Sequence, residues 1–136
     1  TIMNESAKYK DKNKQEKAML SIGSQISNSF KNGEWSSYNQ MINSKVSKRV
    51  CFYSWVCDKN KSNKNTRLIK MYPENYQVSL KIAKDIVTNK HKDTIKGGTH
   101  FVSTNSFKKS WHRNVVRKGD YKITTIQYGH YFIKKN

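Results

Sequence analysis

Apolar positions recur at helical spacing early in the chain. Ala18, Ile22, Ile26 and Phe30 follow four-residue steps with Met19 alongside, while Lys14, Glu16, Lys17, Ser21 and Ser24 fall elsewhere around the turn. This pattern predicts an amphipathic helix that stops near Asn32-Gly33. From Ser36 to Lys48, Tyr38, Met41, Ile42 and Val46 keep helical spacing and predict a short second helix, against a Ser and Asn content that competes for backbone hydrogen bonds. Val50 to Val56, VCFYSWV, is densely apolar and aromatic, and a run this short reads equally as a buried strand or a buried loop.

Asp58 to Arg67, DKNKSNKNTR, holds no apolar residue and predicts an exposed loop. Pro73 then opens a third periodic segment in which Tyr76, Leu80, Ala83 and Val87 share a face, with Ile82 and Ile86 beside it. Beyond Gly97-Gly98, a pair expected to permit a turn closed to other residues, the pattern changes to β-favouring pieces. These are THFVST and KITTIQYGHYFI, separated by the stretch from Asn105 to Asp120 that holds Trp111 and ends in a Gly119-Asp120 turn signal. Helices first and a small β-rich region last make an α+β arrangement. Residues 1–136 read as one domain, without internal repeat or low-complexity linker.

Composition narrows the function. Hydrophobic residues are only 35%, so the core must be small, and three Trp, eight Tyr and five Phe compensate with large buried areas. Twenty-seven Lys and Arg against nine Asp and Glu leave a net charge of +18, which draws polyanions from a distance. Nucleic acid, anionic lipid and the phosphate and carboxylate polymers of a bacterial envelope all qualify as partners. No apolar run reaches the length of a membrane span, and the first residues lack the apolar stretch of a secretory signal. A protein acting outside a cell would then need another means of delivery.

The sequence excludes several chemistries. His91, His100, His112 and His130 form no paired-ligand spacing, so neither a metal nor another cofactor is expected. Walker, GxSxG and Rossmann fingerprints are missing. Cys51 and Cys57 suit either one bridge or two buried thiols. Among the few acidic residues, Glu5 stands beside apolar Ile2, Met3 and Ala7. A carboxyl in an apolar pocket stays protonated to higher pH and can act as a general acid, although spacing alone makes Glu5 a solvated helix residue.

Several motifs, taken in order, resemble the catalytic domain of the SleB-type cell wall hydrolases. Glu5-Ser6-Ala7 precedes a helix with Ala18, Met19, Ile22 and Ile26, as an early glutamate and alanine do in that family. Phe52-Tyr53-Ser54-Trp55-Val56-Cys57-Asp58 is similar to the family's Gln-Phe-Ser motif with a nearby Cys-Asp. Gly97-Gly98-Thr99-His100-Phe101 resembles its Gly-Ala-Thr-His-Tyr, Trp111 matches a downstream tryptophan, and Tyr128-Gly129-His130-Tyr131-Phe132 looks like the closing Ile-Gly-x-His-x-Phe with one residue lost. The likeness spans nearly the whole chain. It departs from the family at Phe52, which stands where the motif has glutamine and removes one polar contact to sugar.

The resemblance implies a lysozyme-like fold, shared with resuscitation-promoting factors, and cleavage of peptidoglycan between N-acetylmuramic acid and N-acetylglucosamine. Glu5 would be the single general acid and base of a lytic transglycosylase. Tyr53, Ser54, Thr99, His100 and Phe101 would line the sugar cleft, although Tyr53 and Phe101 also suit a core and His100 a loop hydrogen bond. Asp58 is the motif-borne candidate for the second carboxylate of a hydrolytic enzyme, which ordinarily uses two. Trp111, His130 and Phe132 read as structural. The expected partners are peptidoglycan glycan strands and anionic envelope polymers, with virion proteins joining them if the protein is a phage particle component or endolysin. Non-specific nucleic acid binding, and a non-catalytic envelope or virion role, are the competing expectations.

Overall fold

The computed structural model describes residues 1–136, an α+β chain of seven α-helices and two small antiparallel sheets. Helix α1 (Ile2–Glu5) is a single turn, followed by α2 (Lys12–Asn32), the expected first helix, which ends at Gly33. Asp11 starts α2 by accepting the backbone N–H of Lys14 at 2.8 Å. About 31 Å long at 1.5 Å per residue, α2 runs through the middle of the molecule. Met19, Ile22 and Ile26 bury one side of it, and Ser21, Ser24, Gln25, Ser27 and Asn28 bury the rest. Residues 21–29 are all buried, and most of their polar side chains are satisfied there, Ser21 within the helix and Ser24, Gln25, Asn28 and Ser29 by other segments.

Those partners come largely from the loop before the second sheet. Asn28 donates to the Gly98 carbonyl at 3.1 Å and to Asp93 at 3.3 Å, and Ser24 Oγ lies 3.5 Å from Thr94 Oγ1. Asp93 in turn accepts from the backbone N–H groups of Ile95 and Gly97. Gly97 has φ +81°, and a Cβ on Gly98 would lie 2.9 Å from Phe132 Cβ, so both glycines answer the turn expected of them.

The second expected helix is only partly present. Helix α3 covers Tyr38–Ile42, and Lys45–Ser47 (β1) then pairs with Val50–Cys51 (β2), leaving Val46 70% exposed. Asn43 and Ser44 turn their side chains back onto the carbonyls of Asn39 and Met41, which ends the helix before Val46 is reached. The VCFYSWV run divides into β2 and the helical turn α4 (Ser54–Cys57), and a Cys51–Cys57 disulfide closes it with Cα atoms 5.8 Å apart.

The stretch expected as an exposed loop is instead helix α5 (Lys59–Met71). Asp58 caps it, accepting from Asn60 N at 2.9 Å and Lys61 N at 3.3 Å, and its lysines are good helix formers. The absence of apolar residues reports exposure rather than loop: Leu68 is the one buried residue of α5. Pro73 takes the first turn of α6 (Pro73–Val87), where its missing N–H costs nothing. The core receives Ser79, Ile82 and Ile86 from α6, one step around from the expected face, while Leu80 and Val87 stay 44% and 60% exposed. Gly23 lets α6 approach α2, since a Cβ there would sit 2.9 Å from Ile82 Cγ2. The stripe of Tyr76, Leu80, Ala83 and Val87 lines an apolar depression of about 210 Å³ beside α1.

The second sheet has the order β3-β5-β4, with β3 at His100–Ser103, β4 at Tyr121–Gln127 and β5 at His130–Lys135. Phe101 faces Phe132 across β3 and β5, and Ile123 faces Ile133 across β4 and β5. Positive φ at both Tyr128 and Gly129 forms the two-residue hairpin turn inside the expected β piece. Between β3 and β4 lie a 3₁₀ turn (Phe107–Lys109) and α7 (Trp111–Arg117). Ile133 and Phe132 of the central strand are fully buried, and Phe132 joins the core of Met19, Ile22 and Ile82. No helix is long and apolar enough to cross a membrane.

Candidate active site

Glu5 ends α1 at the wall of a cleft of about 490 Å³ formed where α1, α2, the β1–β2 hairpin, α4, β3 and α7 meet. Tyr53, Ser54, His100 and Phe101 line the same cleft, so five of the expected site residues converge although they lie up to 96 positions apart in the chain. Glu5 is the only carboxylate in the lining. Burial pushes its carboxyl above the ordinary carboxylate range, against the opposing pull of Lys61 and of a hydrogen bond with Asn4. A carboxyl so placed holds its proton to higher pH and can deliver it to a leaving oxygen.

The floor is tied together through Gln25, which the sequence reading passed over. Tyr53 donates its hydroxyl to Gln25 Oε1 at 3.0 Å, and Gln25 Nε2 donates to the Thr99 carbonyl at 2.8 Å and to Ser29 Oγ at 2.7 Å. Ser29 Oγ also donates to the Thr99 carbonyl. This network locks α2 to β3 and fixes Tyr53, which is buried; burial raises its phenol well above the usual value, with the Gln25 hydrogen bond opposing and the Glu5 charge adding to the rise. Tyr53 thus serves the core and the cleft wall together. The signal for Gln25 was its place in the row Ile22, Gln25, Ser29, a long polar side chain set on a face that helical spacing directs inward.

Ser54 is exposed and accepts from Lys61 Nζ at 3.1 Å. Thr99 stands outside the cleft proper: its Oγ1 lies 2.9 Å from His100 Nδ1, and it lines the neighbouring concavity. Burial lowers His100, so the imidazole is neutral near pH 7. Asp58, the candidate second carboxylate, is absent from the lining of the Glu5 cleft; it lies in an adjoining depression with Arg49 and Lys59, its Oδ1 taken up by the cap of α5. Phe52, in place of the motif glutamine, supplies an aromatic face, edge-on to Tyr53 at 5.1 Å and to Trp35 at 6.1 Å.

Trp111 departs from its structural reading. It is 49% exposed at the cleft rim, stacked on His112 at 4.1 Å and edge-on to His100 at 5.7 Å. His112, also in the lining, is pushed down to about 4 by burial and by His100. His130 and Phe132 are buried, as their structural reading expects. The cleft is therefore one protonatable carboxyl facing aromatic walls and neutral imidazoles. No three His, Cys, Asp or Glu side chains converge to hold a metal ion. No protein-family model, curated protein or solved structure matches the chain.

Proposed function

We propose that the protein cleaves peptidoglycan glycan strands between N-acetylmuramic acid and N-acetylglucosamine as a lytic transglycosylase, on a domain of lysozyme-like type. The observation that carries this reading is Glu5, the only carboxyl in an aromatic-lined cleft, kept protonated to higher pH by burial. The ordered likeness to SleB-type cell wall hydrolases supports it. In the proposed reaction Glu5 gives its proton to the glycosidic oxygen as the bond to muramyl C1 breaks. The muramyl 6-hydroxyl then bonds to C1, and the Glu5 carboxylate takes the hydroxyl proton, which restores the acid and leaves a 1,6-anhydro end. One carboxyl suffices because the substrate supplies the nucleophile. Partners in this reading are the glycan strands and the anionic polymers around them, which would concentrate a +18 protein in a salt-dependent way.

Mass spectrometry of fragments released from purified peptidoglycan tests the reading. Anhydromuramyl ends are expected from the wild type, and Glu5→Gln should lower the rate by at least about 100-fold, the usual worth of a general acid. Reducing ends would indicate hydrolysis, and no fragments would overturn enzymatic cleavage. A second reading, nucleic-acid binding, is favoured by α5, which carries Lys59, Lys61, Lys64, Arg67 and Lys70 with no acidic residue. Under it, DNA affinity would be unchanged or slightly raised in Glu5→Gln and no glycan would be cut.

A further inference from the structure

The groove continues past the Glu5 cleft. Phe52 and His100 line that cleft on one side and a second concavity of about 480 Å³ on the other, so the two halves share a wall. Each half falls within the roughly 300–1,000 Å³ of small-molecule sites. Their chemistry differs. Glu5 is the one acidic group of the first half, whereas the second is lined by Asn32, Trp35, Tyr121, Lys134 and Lys135 and holds no carboxylate.

Neither lysine is neutralised by the protein, whose one ion pair joins Lys12 to Glu74 at 3.2 Å. Lys134 lies on central strand β5, two residues beyond the fully buried Phe132 and thus on the same side of the sheet. Its ammonium reaches over Gly97, 3.5 Å from the place a Cβ would occupy there. A rigid strand therefore presents an unpaired cation beside Trp35 and Tyr121, whose faces suit a sugar ring.

Resting on the glycan-cleavage reading, we infer that this second half is a subsite for a sugar bearing a free carboxylate, such as a muramyl residue whose lactyl group carries no peptide. Lys134 receives the carboxylate, Lys135 at the end of the strand adds to the positive charge of the lining, and the aromatic side chains receive the ring. A reaction that cleaves the amide between lactyl group and stem peptide must then supply the preferred substrate.

The test uses the 136-residue Glu5→Gln chain and titration calorimetry at low salt, with three probes: peptide-free glycan oligomers with free lactyl carboxylates, the same oligomers with those carboxylates amidated, and neutral N-acetylglucosamine oligomers. The free carboxylate should tighten binding about fivefold over its amide, the upper range for a partly exposed ion pair. Lys134→Met with Lys135→Met should erase that difference while leaving affinity for the neutral oligomer unchanged. Circular dichroism checks folding, and Lys134→Gln alone gives a milder version of the same test. Equal binding of the charged and amidated strands, an unchanged preference in the lysine variants, no glycan binding, or single-stranded DNA binding in place of glycan would each overturn the subsite. Because binding is read without cleavage, a carboxylate preference in a protein whose wild type releases no fragments would uphold the subsite and reject the enzymatic reading.

Discussion

Glu5 and Asp58 show how one functional group takes two roles from its surroundings. Asp58 stands just before a thirteen-residue helix and its Oδ1 accepts from two backbone N–H groups; Glu5 closes a four-residue helix and lines an aromatic cleft. Asp58→Ala should destabilise the fold by about 1 kcal/mol through the lost cap, and Asp58→Asn by much less. In the single-acid mechanism the Asn variant should also cleave glycan at the wild-type rate; urea denaturation and a digest measure both, and an inactive but folded Asp58→Asn protein would make Asp58 a second carboxylate. Glu5 was singled out only by the ordered motifs that follow it, because spacing alone reads it as a solvated helix residue. Helical spacing turns Gln25 inward but does not reveal its role, because a single glutamine within a helix carries no sign of the tyrosine and the carbonyl that will meet it from 28 and 74 residues away.

At the scale of elements, the cleft wall depends on a small staple. The Cys51–Cys57 bridge encloses Phe52, Tyr53 and Ser54, all of which line the cleft. Cys51→Ser with Cys57→Ser should cost about 2 kcal/mol by the loop-entropy argument for so short a loop. Cleavage should fall further than stability alone explains, because the wall is freed while α2 and α6 still pack. Thermal denaturation beside the fragment assay checks this, and undiminished cleavage would mean that core packing alone holds the wall. Helices α2 and α6 were legible from periodicity. Helix α5 was not, since it buries one residue and leaves no apolar stripe to detect. The segment after α3 failed for the opposite reason: its apolar residues kept helical spacing, while Asn43 and Ser44 ended the helix locally and the disulfide joined its partner strand to α4.

Across the whole molecule, partly and fully buried imidazoles set the response to acid. His100, His112 and His130 are all lowered by burial, His112 to about 4 from an ordinary value of 6.5. Protons bind the unfolded chain first, so stability is present above about pH 6.5 and is lost as pH falls toward 4. Glu5 runs the other way, its raised carboxyl disfavouring the fold as pH rises above its ordinary 4.5, but it is one group against three. Scanning calorimetry should find a lower Tm at pH 5 than at pH 7, by about 1 kcal/mol of stability for the half-exposed His112 after screening by water. His112→Gln should narrow the gap, and an equal or higher Tm at pH 5 would contradict the assignment. The sequence by itself determined the α+β order, the long first helix, the β-rich end, the glycine turn and the strong positive charge, because periodicity, turn chemistry and composition act over a few residues at a time. Only the tertiary structure decided that Gln25 would bind Tyr53 to Thr99, that Asp58 would cap a helix outside the cleft, and that Glu5 would line one cleft with His100 and Trp111. Those outcomes depend on distant segments closing one space, where burial, and not residue type, sets the chemistry.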